Sequence, residues 1–177
     1  MRLFITIILI TITCIAQAQN EHFVPKDKWS ENLYIPDDFC AKYGLEPGET
    51  NNLLKAWNNL KDDAAFARIV DIRWYFSSPE DAVKYLSENK AELSEKGDPV
   101  IPGFRIPDAE HIMAFHDGAG FLKLNGALGL TSHMYIFLFT EKNYLAKVFV
   151  SSEKDISCDK AGIFAIEAAR RLHAAIQ

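Results

Sequence analysis

Residues 134–139, Met-Tyr-Ile-Phe-Leu-Phe, constrain this chain more than any other stretch. A strand points successive side chains to opposite faces, and here both sets are apolar. A sheet wetted on one side would alternate apolar with polar residues. Either helices cover both faces of this sheet, or the second face is a hydrophobic floor beneath a ligand or partner. The aromatic and β-branched residues 133–140 and 144–150 flank Glu141-Lys142-Asn143, so the two runs read as a hairpin. An amphipathic helix over residues 156–176 follows. Ala161, Phe164, Ala168, Leu172 and Ala175 form its apolar stripe, with Lys160, Glu167, Arg170 and Arg171 mostly off it.

Upstream, Leu53, Leu54, Trp57 and Leu60 recur at helical spacing behind Pro47-Gly48 and a capping Thr50, which predicts a helix over 50–62. Residues 68–76 switch to a period of two, with Val70, Ile72, Trp74 and Phe76 alternating against Ile69, Asp71, Arg73 and Tyr75. Ser78-Pro79-Glu80-Asp81 is a strong helix start: a cap, a proline at the first helical position and two acids at the positive end of the dipole. Ala82, Val83, Leu86 and Leu93 face inward, and the helix stops before Gly97. Three prolines make 98–107 a loop or edge segment, and 108–116 reads as a strand. The resulting class is α+β: a mostly antiparallel sheet of about four to five strands, three helices, and a C-terminal hairpin followed by a long amphipathic helix.

The first residues describe a destination rather than a fold. Met1-Arg2, an apolar run from Leu3 and the small-residue site Ala16-Gln17-Ala18 form an export signal over 1–18. Residues 19–35 then read as a polar lead-in that docks through Phe23, Trp29 and Tyr34, with a single globular domain over 36–177. The expected location is the periplasm or the exterior. A net charge of −5 without a basic run argues against nucleic acid as partner. Nothing after the signal reaches the ~20 apolar residues of a membrane span. Cleavage removes Cys14 and leaves Cys40 and Cys158, which in an exported chain predicts one disulfide. Closing so long a loop would contribute roughly 4–5 kcal/mol.

Candidates for chemistry are few. His111 and His116 bracket one predicted strand and His133 begins the next. His111 and His116 are five residues apart and so face opposite ways along a strand. The pairings left open are His116 with Asp117, or His111 with His133 across the sheet, joined by Glu110 or Asp108. The spacing matches no established metal signature, so no metal and no cofactor is expected. A nucleophile elbow of the form Gly-x-Ser-x-Gly is absent. Residues 117–130 hold four of the nine glycines, yet carry Phe121, Leu122, Leu124, Leu128 and Leu130. They are either an ordinary strand and turns, or a mobile apolar flap contacting a ligand together with Tyr135 and Phe137. The function expected is therefore a small exported, non-enzymatic domain that binds a partner protein or an apolar small molecule. The alternative is a secreted hydrolase or metal-dependent enzyme using the strand-end histidines and nearby carboxylates.

Overall fold

A computed structural model describes residues 22–59, 65–95, 100–107, 109–117, 133–152 and 154–177. A 3₁₀ turn, Glu31–Leu33, precedes α1 (Asp37–Ala41), β1 (Glu46–Thr50), β2 (Leu54–Asn58), β3 (Arg68–Tyr75) and α2 (Pro79–Glu95). Then come β4 (His111–Asp117), β5 (His133–Glu141), β6 (Tyr144–Ser152) and α3 (Cys158–Ile176). The strands form one antiparallel sheet in the order β1-β2-β3-β6-β5-β4, so the class is α+β with one strand more than the upper expectation.

Helices cover both faces, the first of the two arrangements that the apolar run 134–139 allows. On one face Ile136, Leu138, Val70, Ile72 and Leu145 pack with Ala82, Leu86 and Leu93 of α2. On the other, Tyr135, Phe137, Phe139, Ile69 and Val148 pack with Ala161, Phe164, Ala168 and Leu172 of α3. Val24, Leu33, Tyr34 and Ile35, ahead of Pro36, belong to this second core. Ser78 Oγ accepts from Asp81 N–H at 3.1 Å to start α2, and Ser157 Oγ accepts from Lys160 N–H at 3.2 Å to start α3. Among the described residues no helix is long and apolar enough to cross a membrane.

The helix expected over 50–62 is a correction. Residues 46–58 are instead the hairpin β1–β2, and the first α-helix is the short α1. Asn51 explains the turn: its side-chain oxygen accepts from the backbone of both Leu53 and Leu54, at 2.9 and 3.0 Å. From there Leu54 and Ala56 enter the α2 core while Trp57 enters the α3 core. Lys55 is buried as well, bonded to Asp37 of α1 at 2.9 Å, and the same carboxylate accepts from the Trp57 indole at 2.7 Å. A strand buried on both faces has apolar residues at every spacing, a helical one included.

The cysteine expectation is also corrected. Cys40 and Cys158 are free thiols. Both touch the α3-side core, but Cys40 points in from α1 and Cys158 lies at the first position of α3, beyond bonding distance. Burial pushes both thiols above their ordinary range.

One ion pair lies in the α3-side core. Asp71 and Arg73, two apart on β3, meet at 2.9 Å with no exposed side-chain surface on either. Arg73 also donates to the carbonyls of Leu33 and Ala168, and Asp71 accepts from the backbone of Ile35. Burial outweighs Arg73 and holds the Asp71 carboxyl up at about 6.

Candidate metal centre

The antiparallel ladder β4–β5 sets His116 opposite Tyr135 and Asp117 opposite Met134. His133, two residues before Tyr135, shares its face. His116, Tyr135 and His133 therefore project together over the α3 side at one end of the sheet. Next to β5, His133 pairs with Ser152 at the end of β6. Beyond Ser152 the chain turns back, with Ser152 Oγ accepting from Lys154 N–H at 3.2 Å, and Asp155 then leads into the α3 cap. This turn carries Asp155 to the histidines.

Together His116, His133 and Asp155 form a set of metal-ligand type. One donor atom from each lies within 4.8 Å of the others. His133 Nδ1 and Asp155 Oδ1 are 3.9 Å apart, and the two imidazole rings lie almost parallel with centroids 6.0 Å apart. His116 Nε2 and His133 Nδ1 are buried and have no hydrogen-bond partner among the described residues. Leaving a buried polar atom unpaired costs about 1–3 kcal/mol. Around the set, the Tyr135 ring stacks on His116 with centroids 4.3 Å apart, and its hydroxyl donates to Ile156 O at 2.5 Å. Burial raises the Tyr135 hydroxyl above its ordinary value, and Asp155 and Cys158 push it the same way.

Two imidazoles and a carboxylate are a donor set for zinc or for copper and nickel rather than for magnesium or calcium. With metal–nitrogen distances of about 2.0–2.1 Å, tetrahedral ligation requires donors ~3.3 Å apart. The trio must close from its present spacing to hold an ion. Three protein donors leave a fourth position for water or another ligand.

The histidine pairings expected from the sequence need correction. His111 pairs with Thr140 at the far end of the β4–β5 ladder, is exposed, and does not meet His133. It does face away from His116, as the five-residue spacing requires: Met113 and Phe115 of its set pack on the α2 side, Ile112 and Ala114 on the α3 side. His116 finds its partner in His133. Asp155 escaped the sequence reading altogether; its only signal was that it precedes the helix cap of the segment leaving the hairpin. Of the expected ligand contacts, Phe137 is fully buried and Tyr135 almost so, within the α3-side core. Phe121, Leu122, Leu124, Leu128 and Leu130 lie outside the described residues.

No protein-family model matches the chain, and no curated protein does. Among solved structures it is loosely similar to human StAR-related lipid transfer protein 5, at 9% identity over 78% of this chain and 91% of that one, with a TM-score of 0.31. Human STARD10 gives 10% identity over 84% and 82%, with a TM-score of 0.28. Agreement at that level defines neither a shared fold nor a shared ligand, so the site has to be read from its own geometry.

Proposed function

We propose that the protein is an exported binding domain whose ligand is a divalent transition-metal ion of the zinc class, held by His116, His133 and Asp155. The observation that carries this reading is the convergence of their three donor atoms within 4.8 Å. Two imidazole nitrogens that have no hydrogen-bond partner among the described residues support it, because an ion would supply one to each. The reading keeps the class expected from the sequence, a binding domain, and changes the ligand. Helices already take up both apolar sheet faces, which removes the need for an apolar ligand to cover one.

The test uses residues 19–177, stripped with a chelator and titrated with zinc in a calorimeter. One ion per chain is expected for the wild type and none for the His116→Ala/His133→Ala variant, with folding of both checked by circular dichroism. Equal binding by the two, or no binding by the wild type, overturns the reading. Export is tested separately: mass spectrometry of the protein made in a bacterial host with an export pathway should find Gln19 as the first residue.

A further inference from the structure

We infer that Tyr135 is a positioning residue for the metal set, acting on two of its three donors at once; this rests on the metal reading above. Four rings of this end of the sheet lie in a near-parallel series. His133 faces His116 at 6.0 Å and 8°, His116 faces Tyr135 at 4.3 Å and 23°, and Tyr135 faces Phe137 at 6.2 Å and 10°. Phe137 is fully buried, so the series is anchored from the core outward. Tyr135 is the link through which that anchoring reaches His116.

The other end of the same side chain acts on the carboxylate. The Tyr135 hydroxyl donates to the carbonyl of Ile156, the residue after Asp155, across 21 positions of sequence. The Asp155 side chain is 72% exposed, and its approach to His133, at 3.9 Å, is too long for a hydrogen bond. The backbone therefore sets its position, and Tyr135 pins that backbone. The ring sets the plane of one imidazole, and the hydroxyl sets the reach of the carboxylate. Groups that orient metal ligands typically contribute 10–100-fold to affinity when removed.

The experiment is a zinc titration of residues 19–177 as wild type, Tyr135→Phe, Asp155→Ala and the double variant, with cobalt substituted to read ligand geometry from its visible absorption. Tyr135→Phe keeps the ring and loses the anchor; affinity should fall about 10-fold, with a changed cobalt spectrum. Because the hydroxyl acts through Asp155, the double variant should bind no more weakly than Asp155→Ala alone. Tyr135→Leu, which also releases His116, should bind more weakly than Tyr135→Phe. Wild-type affinity in Tyr135→Phe, or losses that simply add in the double variant, overturns the inference and leaves the metal reading intact. A wild type that takes no metal overturns both.

Discussion

Strand β5 carries a histidine–carboxylate pair at each end, and the two pairs are built differently. At its close, Glu141 is 5% exposed and meets His173 of α3 at 2.5 Å. At its start, His133 stands 3.9 Å from an Asp155 that is mostly in solvent, and its Nδ1 has no hydrogen-bond partner among the described residues. A buried acid bonded to a histidine on the neighbouring helix ties helix to sheet. A histidine left open beside a second histidine and a loose carboxylate adds little to the fold and keeps its donor atoms available. The same residue types serve as a fastening in one place and as a ligand set in the other.

The contrast predicts effects of different size and kind. The largest lies inward of the fastened end, where Arg73 feels both Asp71 and Glu141. Arg73→Met should cost about 3–5 kcal/mol in urea unfolding, because it strands the Asp71 carboxylate in a dry core. Next comes the open end. Zinc at a hundred times its dissociation constant should stabilise the wild type by about 2.7 kcal/mol. The His116→Ala/His133→Ala variant should lose that gain, while its metal-free stability changes little, because the ring contact with Tyr135 that it gives up is offset by removing two buried nitrogens that have no hydrogen-bond partner among the described residues. A large metal-free loss would show that the open end is a fastening too.

His173→Ala should cost about 1–3 kcal/mol by leaving Glu141 buried without its partner. The zinc-induced shift in its melting temperature should equal that of the wild type. Last is the pH response, which should differ in sign between the ends. Burial raises the Glu141 carboxyl above its ordinary value, and His173 only partly counters it. The folded chain therefore holds this proton more tightly than the unfolded chain. The contribution of Glu141 is fully present below the ordinary glutamate value of about 4.3 and is lost as pH rises through the folded-state value. Glu141→Gln should flatten that part of the stability profile. Zinc affinity runs the other way, strengthening as pH rises, because protons compete with the ion for imidazole nitrogen. Parallel slopes from calorimetry and urea unfolding would erase the distinction.

Most of the fold was legible because its larger elements carry a clear local signal. Strand β3 has its alternation, α2 its Ser78-Pro79 start, the hairpin its aromatic and β-branched strands, and α3 its stripe. The segment 46–58 was misread because its local signals, a helical apolar spacing behind a capping Thr50, pointed the wrong way. Its apolar spacing fits a helix, and what makes it a strand is tertiary: Lys55 and Trp57 are held by Asp37 from α1. Two of the three candidate ligands, His116 and His133, were singled out on sequence. Their pairing was not, because it depends on β4 and β5 being sheet neighbours with His116 opposite Tyr135. Asp155 had no periodicity to announce it; only the turn after Ser152 brings it in.

The strand order has a kinetic consequence. The β5–β6 hairpin closes across Lys142 and Asn143, with Lys142 in a left-handed conformation, and can form early from local contacts. The other neighbour of β6 is β3, and the Ser151 hydroxyl that bonds Arg68 spans 83 residues. Bringing such distant strands together costs loop-closure entropy before any contact offsets it, and chains dominated by pairings of this kind fold on the slow side of the two-state range. Until β3 arrives, one edge of β6 stands unpaired beside an apolar hairpin, the kind of surface that invites association between chains. The folding clock of this protein is set where β3 meets β6, in the middle of its sheet.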